Sequence, residues 1–265
     1  MNILVCIKQV PDTTEIKINP VTNTLMREGV ASIVNPFDSY ALELAVRLKE
    51  KQGGKVTVIS MGPPQAKVAL KECLSVGAEE AYLLSDRAFG GSDTLATSYI
   101  LSSFIKHLEK ENGKFDLVMC GKQAIDGDTG QVGPEIAEHL GLAQVTYATD
   151  IKVEDDKTLI KRENDQGYDW IQVLTPAVIT VTKSVFEPRY ATLKSKIAAN
   201  KAEIEVLNTE SIDIDLEKCG LKGSATKVMK SYTPIKDNNG IVIKEETASA
   251  SVKSLMNLLV DNKVI

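Results

Sequence analysis

The stretch FDLVMCGKQAIDGDTGQVGPE, residues 115–135, decides the fold of this chain. Its first six residues are mostly apolar and predict a buried strand, Phe115–Cys120. A glycine-containing loop follows, and then Val132, Ile136 and Leu140 recur every four residues, which predicts a helix with one apolar face. Strand, loop and helix in this order are part of a βαβ unit, and the loop of such a unit lies at the carboxyl edge of a parallel sheet.

Upstream of this stretch, short apolar runs alternate with amphipathic segments. Such alternation predicts a parallel sheet that is covered by helices on both faces and joined by right-handed crossovers. We therefore predict an α/β fold with a doubly wound, mostly parallel, Rossmann-like sheet. The predicted strands are Ile3–Ile7, Lys55–Met61, Ala81–Leu84 and Phe115–Cys120, and the further predicted helices are Ser39–Gln52, Pro64–Val76 and Thr94–Glu111.

Downstream of residue 143 the pattern changes to strands separated by short polar turns, which predicts strands added antiparallel beside the parallel sheet. These strands are Val145–Val153, Thr158–Glu163, Asp169–Leu174 and Ala177–Thr182, with Ile204–Leu207 as one more candidate. Lys218–Glu246 lacks periodicity and predicts an extended arm, which ends in an amphipathic helix over Thr247–Val260. We predict two units: an α/β domain with its antiparallel extension over residues 1–212, and an arm with a helix over 213–265 that docks either on its own core or on a partner chain.

The composition argues against several classes of function. A formal net charge of -5 argues against nucleic-acid binding, which needs a surplus of Lys and Arg. No apolar run reaches the roughly 20 residues that cross a bilayer, and the start MNILVCIKQV has a strand pattern rather than that of a signal peptide. We therefore expect a cytoplasmic protein without membrane insertion. The 4 cysteines form no CxxC pair and there are only 2 histidines, so we expect no metal site.

The loop after Phe115–Cys120 has the properties of a phosphate site. The N–H groups and positive dipole at the start of the following helix favour an anion. Gly127 and Gly130 allow a ligand to approach the backbone, and Thr129 and Gln131 supply side-chain donors. The GxGxxG and GxxxxGK[ST] fingerprints of common nucleotide sites are absent from the sequence.

Two other loops are expected at the same edge of the sheet. Asn35-Pro36-Phe37-Asp38 precedes a predicted helix, where Asp38 is interpreted as a cap and Asn35 and Phe37 could flank an adenine or a ribose. Met61 ends another predicted strand. Within the phosphate loop, Asp126 and Asp128 are unfavourable beside an anion; either one of them caps the helix, or one of them accepts from a ribose hydroxyl.

Four motifs, in this order, resemble those of electron transfer flavoprotein β subunits. They are Val5–Asp12, Asn35–Phe37, Gly121–Asp126 and Glu187–Leu193, and the resemblance continues beyond residue 260. The resemblance implies an adenine-nucleotide-binding type of fold. It also implies a heterodimer with an α subunit of similar fold, which carries an electron-shuttling FAD. The unit 213–265 is then expected to pack on that α subunit.

The family has two branches that differ in the nucleotide of the β subunit. In one branch the nucleotide is a structural AMP, and electrons pass between an acyl-CoA dehydrogenase and a quinone reductase. In the electron-bifurcating branch it is a second FAD, where electrons from NADH are divided between ferredoxin or flavodoxin and, through the α-subunit FAD, a flavoprotein dehydrogenase of the acyl-CoA or 2-hydroxy-acid type. Gly127 and Gly130 resemble the bifurcating branch, so we expect FAD with NADH as donor. A non-redox adenine-nucleotide-binding module is the alternative from another class.

The resemblance also assigns residues, none of them a catalytic acid, base or nucleophile. For the nucleotide site it implies Cys6, Asn35, Pro36, Phe37, Asp38, Met61, Ala124, Ile125, Asp126, Gly127, Asp128, Thr129, Gly130, Gln131, Val132, Gly133, Pro134 and Glu135. For recognition of the dehydrogenase it implies Glu187, Arg189, Tyr190 and Leu193, with Leu193 as the hydrophobic anchor. From the residues alone, this second segment would be interpreted as a surface turn.

Overall fold

The computed structural model describes residues 1–12, 31–154, 157–229 and 240–265. Its strands are β1 (Asn2–Cys6), β2 (Gln9–Pro11), β3 (Ser32–Val34), β4 (Lys55–Met61), β5 (Glu80–Leu84), β6 (Leu117–Gly121), β7 (Ala143–Glu154), β8 (Lys157–Asn164), β9 (Gly167–Val173), β10 (Ala177–Val181) and β11 (Glu205–Leu207). Its α-helices are α1 (Pro36–Gln52), α2 (Lys67–Ser75), α3 (Thr94–Asn112), α4 (Val132–Leu140), α5 (Leu193–Lys201), α6 (Gly220–Gly223) and α7 (Ala248–Asp261).

A nine-stranded sheet organises these elements, in the order β11-β5-β4-β1-β6-β10-β7-β8-β9. Neighbouring strands from β11 to β7 run parallel, whereas β8 and β9 are antiparallel additions at one edge. The predicted doubly wound, mostly parallel α/β fold is confirmed. A separate antiparallel pair, β2 and β3, lies between β1 and α1 along the chain.

The core lies on both faces of the sheet, because alternate strand residues point to opposite sides. Ile3 and Val5 of β1 pack in one cluster with α1 and α2, while Leu4 and Cys6 pack in another with α3 and α4. Each fully buried aliphatic side chain of this kind contributes roughly 1.5–3 kcal/mol to folding. The burial of both faces explains why the central strands are apolar almost throughout.

Two of the predicted antiparallel additions were wrong, since β7 runs parallel to β10 and β10 itself is a central strand. The sequence pattern placed Ala177–Thr182 among the antiparallel additions, but β10 lies between β6 and β7 and is parallel to both. All five of its residues are buried, which is the burial of a central strand with helices on both sides. The strands β7, β8 and β9 therefore form an extension at one edge, and after β9 the chain returns to the centre of the sheet as β10.

Two other segments differ from the sequence-based expectation. Helix α5 was not predicted; it packs on α2 and begins at Leu193 with Thr192 as its N-cap. The start of the predicted extended arm contains a 3-10 turn, Leu216–Lys218, and then α6. Cys219 lies between these two elements and is buried. Residues 230–239 of the predicted arm lie outside the described residues, and α7 confirms the predicted terminal helix.

Candidate functional site

The candidate site lies where the sheet changes its winding direction. The chain leaves β1 towards β4 on one side of the sheet and leaves β6 towards β7 on the other. Loops that diverge in this way leave a crevice at the carboxyl ends of the two strands, and open α/β sheets bind their ligands there. Cys6 and Cys120, near these ends, are register partners in the β1–β6 pair. We call the space above them the switch-point crevice.

Asp38 joins the walls of this crevice. Its carboxylate accepts hydrogen bonds from the backbone N–H of Lys8 at 2.7 Å, the backbone N–H of Gly121 at 3.1 Å and the side-chain amide of Asn35 at 2.9 Å. One side chain thus ties the loops after β1 and β6 to the start of α1. The prediction that Asp38 caps α1 was wrong: Asn35 occupies the N-cap position, and Asp38 lies in the first turn.

Burial raises the pKa of Asp38 to about 7, although the hydrogen bonds from Asn35, Lys8 and Gly121 oppose this rise. Only 6% of the surface of Asp38 is exposed to solvent. A buried carboxylate that accepts several N–H groups keeps those groups satisfied, and its loss would leave each of them without an acceptor. Asp38 therefore holds together the loops that form the crevice, rather than capping a helix.

Asn35 positions the loop that follows β6. Its side-chain amide donates to the carbonyl of Gln123 at 2.9 Å, and its side-chain oxygen accepts from the backbone N–H of Ile125 at 3.2 Å. Its backbone N–H donates to the carbonyl of Lys8. Since Asn35 is almost fully buried, these bonds are shielded from water and hold the loop at a defined height above the sheet.

The end of this loop carries backbone donors that no described group uses. The N-cap position of α4 is Gln131, whose side chain does not cap the helix. Across the described ranges, the backbone N–H groups of Thr129, Gly130 and Gln131 have no acceptor. Gly130 adopts a left-handed φ of 66°, which glycine tolerates best. Donors at a helix start, with the positive end of the helix dipole behind them, form an anion-binding site.

Neither aspartate of the loop caps α4, so the capping interpretation of Asp126 and Asp128 was wrong. Asp126 accepts from the ammonium of Lys8 at 2.7 Å, across the crevice. Asp128 accepts from the side-chain amide of Gln123 at 2.8 Å and has a positive φ of 52°. The charge of Asp126 is therefore compensated by Lys8 of the loop after β1, which reduces its repulsion of an anion, whereas Asp128 receives a hydrogen bond from a neutral amide.

The glycines of this region have two different functions. A Cβ atom on Gly121 would lie 2.3 Å from a carboxylate oxygen of Asp38, and one on Gly133 would lie 2.4 Å from the methyl group of Thr180. These two positions are required by close packing. A Cβ atom on Gly127 would meet nothing within 4 Å, so this glycine leaves open space above the loop.

Three further predicted residues lie at the ends of β1 and β4 or in the first turn of α1. Phe37 packs under the ammonium of Lys122, which lies 4.9 Å from the ring centroid, and Met61 is half-buried at the end of β4. Cys6 is buried; its hydrogen bond with Cys120 and its burial raise its pKa well above the usual value, so it remains a neutral thiol. Among the described residues no group of three or more His, Cys, Asp or Glu could hold a metal ion.

Comparisons with known proteins agree with this geometry. The family model described as "Electron transfer flavoprotein domain" matches residues 22–211, well over half of the chain. The electron transfer flavoprotein subunit beta of Thermoanaerobacterium thermosaccharolyticum is 51% identical, and that of Megasphaera elsdenii 50% identical, each over the full length of both chains. The chain belongs to this family, as a β subunit. It is also 47% identical, over the full length of both chains, to the protein named "Caffeyl-CoA reductase-Etf complex subunit CarD" of Acetobacterium woodii.

Membership in the electron transfer flavoprotein family identifies the chain as a subunit of an electron-transferring complex that also contains an α subunit. The flavin-associated character of the family agrees with a nucleotide in the switch-point crevice. None of the helices in the described ranges combines the length and apolarity that a bilayer crossing requires.

The second predicted segment of this β subunit, Glu187–Leu193, lies on the outer face of α1. Tyr190 is 97% exposed and Leu193 is 77% exposed. Glu187 accepts from the hydroxyl of Tyr40 at 2.8 Å, and Arg189 reaches inward to acidic residues of α1. The sequence analysis missed the α1 residues that hold this segment, although their spacing on one helical face was a signal for them.

Proposed function

We propose that the switch-point crevice binds FAD, and that the chain is the β subunit of an electron-bifurcating heterodimer. The observation that carries this proposal is the start of α4, where N–H groups without acceptors in the described chain meet the sheet at its switch point. That arrangement suits the diphosphate of a dinucleotide. The open space at Gly127 supports the longer FAD over AMP, because nothing in the described chain crowds the backbone there.

A buried carboxylate oxygen provides a test of whether the residues fit a nucleotide. Oε2 of Glu135, in the first turn of α4, is buried and has no donor among the described residues, while Oε1 accepts from the hydroxyl of Thr94 at 3.2 Å. An unpaired buried carboxylate oxygen is costly in isolation. A ribose hydroxyl or a ring N–H of a bound nucleotide would satisfy it, so the residues fit the group.

The chain's own residues would bind and orient this group rather than react. Thr129, Gly130 and Gln131 would donate to its phosphates, with Lys8 and Lys122 nearby to balance charge. The other residues that we propose to line the site are Cys6, Asn35, Pro36, Phe37, Asp38, Met61, Ala124, Ile125, Asp126, Gly127, Asp128, Val132, Gly133, Pro134 and Glu135. The chemistry that bound FAD supplies is the acceptance of two electrons from NADH as a hydride and their release one at a time, one to ferredoxin or flavodoxin and one, through the α-subunit FAD, to a flavoprotein dehydrogenase. We propose a cytoplasmic location for the heterodimer, together with these partners.

We further propose that residues 213–265 pack on the α subunit. Helix α7 has no buried residue. Its apolar side chains share one face and are largely exposed; they include Val252, Leu255, Met256 and Val260. An apolar helical face of this kind is stable in water only when something covers it, and the α subunit is the chain with which a β subunit assembles. Deletion of 240–265 should weaken co-purification with the α subunit; unchanged co-purification would exclude this role.

Glu187, Arg189, Tyr190 and Leu193 are proposed to form the recognition segment for the dehydrogenase, with Leu193 as its anchor. The exposure of Tyr190 and Leu193 supports this role, since exposed aromatic and aliphatic side chains are common anchors of interfaces. The relative whose name includes a caffeyl-CoA reductase supports a partner that acts on acyl-CoA substrates. A 2-hydroxy-acid dehydrogenase is the alternative partner class.

The decisive experiment counts the nucleotides of the purified αβ heterodimer. We expect two FAD per heterodimer, and rapid bleaching of the flavin absorbance when NADH is added. One FAD together with one AMP, and no response to NADH, would contradict the bifurcating function and support the branch with a structural AMP. A heterodimer with no flavin and no redox response would instead indicate a non-redox nucleotide-binding module.

A further inference from the structure

One face of α1 carries a row of polar residues that point towards the recognition segment. Tyr40, Glu43, Arg47 and Glu50 follow one another at intervals of three or four residues, so they lie in a single stripe along the helix. The helix begins with the turn that walls the switch-point crevice. The same rigid element therefore contacts both proposed functional regions of the chain.

Arg189 donates hydrogen bonds to the two glutamates of this stripe. Its Nε donates to Glu43 at 2.9 Å, and its Nη1 and Nη2 donate to the carboxylate of Glu50 at 2.5 and 3.0 Å. Its backbone N–H also donates to Glu43, at 3.0 Å. A guanidinium that holds two carboxylates in a planar fork is fixed in direction, which a single ammonium could not achieve.

Of the two carboxylates that Arg189 contacts, that of Glu43 is the buried one, since its side chain is only 1% exposed. It also accepts from Nε of Arg47 at 2.6 Å, and the guanidinium of Arg47 lies 4.1 Å from the ring centroid of Phe186. Burial would raise the pKa of Glu43, but the hydrogen bonds from Arg189 and Arg47 lower it below its ordinary value. The carboxylate therefore stays charged, and both arginines stay attached to α1.

The arrangement separates the residues of the segment into two groups. The Arg189 side chain is 31% exposed and its donors are directed into the protein, whereas the neighbouring Tyr190 is 97% exposed. Leu193, which is 77% exposed, is held at the start of α5 by the Thr192 cap. The segment is thus anchored at one end by Arg189 and at the other by α5, with its apolar side chains outside.

We propose that Arg189 is a positioning residue for dehydrogenase recognition: it fixes the segment to α1 so that Leu193, the proposed anchor, faces the partner, and it makes no contact with the partner itself. The inference rests on the proposed recognition function of Glu187–Leu193. It changes the assignment of Arg189 from a contact residue to a residue that acts through Leu193.

A double-mutant cycle on the αβ heterodimer tests this role. The variants are Arg189→Ala, Leu193→Ala and both together, and the readout is electron transfer from the reduced heterodimer to an acyl-CoA dehydrogenase, chosen because it accepts electrons from the unaltered protein. If Arg189 acts through Leu193, each single change raises the KM for the heterodimer about tenfold with kcat nearly unchanged. In the Leu193→Ala background, Arg189→Ala should then add less than about twofold, since residues that act as one unit are not additive.

Three additional measurements separate positioning from direct contact. The dependence of KM on ionic strength should be the same for Arg189→Ala and the unaltered heterodimer, since a charge that does not face the partner does not steer it. Arg189→Lys should recover only part of the loss, because it lacks the fork. Glu50→Gln changes only the outer, half-exposed carboxylate and should raise KM in the same direction, about threefold, without risk to folding. Lys110→Ala, on α3 at the opposite face of the sheet, is the control for loss of a positive charge.

The possible results are distinguishable. The inference would be overturned if the KM increase of the double variant equals the product of the two single increases, and if the KM of Arg189→Ala depends less on ionic strength than that of the unaltered protein. Arg189 would then be a contact residue. An effect of Leu193→Ala with none of Arg189→Ala or Glu50→Gln would also overturn it. If Leu193→Ala itself has no effect, the proposed recognition segment fails, and the role of Arg189 fails with it.

Discussion

The two functional regions that meet α1 are held to it by different physical means. At the start of the helix, Asp38 is buried and accepts from the backbone N–H groups of two other loops. On its outer face, Glu43 and Glu50 hold Arg189, which is partly exposed. The crevice depends on hydrogen bonds that water cannot replace, whereas the recognition segment depends on ion pairs that salt screens. We therefore expect the crevice to be rigid and the segment to be more adjustable.

The replacement Asp38→Ala should have the largest effect. It leaves the N–H groups of Lys8 and Gly121 and the amide of Asn35 without their acceptor, so we expect a loss of about 4 kcal/mol in the free energy of unfolding. Nucleotide should be lost as well, because the loop after β6 is released. Urea denaturation and nucleotide analysis of the heterodimer measure the two effects. A loss below about 1 kcal/mol would contradict the role of Asp38 as the link between the loops.

The protonation of Asp38 should appear in the pH dependence of stability. Burial raises its pKa from 3.8 to about 7, so the folded chain holds this proton more tightly than the unfolded chain. The stabilisation from this group is complete below 3.8 and is lost as the pH rises through about 7. Asp38→Asn, which does not titrate, is the matched variant. The free energy of unfolding of the unaltered protein should fall relative to that of Asp38→Asn over this pH range, and the difference should stay constant above it. A difference that does not vary with pH would show that the group does not titrate there.

Close packing in the crevice can be tested at Gly133. A Cβ atom there would lie 2.4 Å from the methyl group of Thr180, so Gly133→Ala should displace the start of α4 and cost about 2 kcal/mol. Thr180→Ser removes that methyl group and keeps the hydroxyl, which accepts from the backbone N–H of Tyr147. The double variant should therefore recover most of the lost stability in thermal unfolding. Without such recovery, the clash with Thr180 is not the cause.

In the recognition segment the effect on stability should be smaller and should depend on salt. Arg189→Ala removes the ion pairs with Glu43 and Glu50, while Arg47 remains to compensate the buried Glu43. We expect a loss of about 1 kcal/mol at low ionic strength and less at high ionic strength. Chemical denaturation by urea at two salt concentrations measures this. A loss as large as that of Asp38→Ala would remove the contrast between the two regions.

The smallest effect on stability is expected at Gly127. Its added Cβ atom would meet nothing within 4 Å, so Gly127→Ala should leave the melting temperature unchanged. If FAD approaches the backbone there, the same change should reduce the FAD content of the purified heterodimer. Unchanged FAD content would show that Gly127 provides no space for the nucleotide. The result therefore separates a glycine needed for packing, such as Gly133, from one needed for a ligand.

The sequence by itself determined the α/β class, the predicted parallel strands and the family. Hydrophobic periodicity reports which residues of a segment are buried, and this local information is enough to identify β1, β4, β5 and β6 with their helices. The motifs also identified the loop before α4. The helix α5 was missed because its hydrophobic pattern is weak: only one of its residues, Ala199, is buried.

Only the tertiary structure decided the order of the strands and the partners of the charged residues. Nothing local to Ala177–Val181 states that β10 inserts between β6 and β7, because strand order depends on contacts between distant segments. For the same reason, the sequence could not show that Asp38 links two other loops or that Arg189 pairs with α1. Apart from Asn35, the hydrogen-bond partners of these two side chains lie 30 to 146 residues away along the chain, and only folding brings such groups within hydrogen-bonding distance.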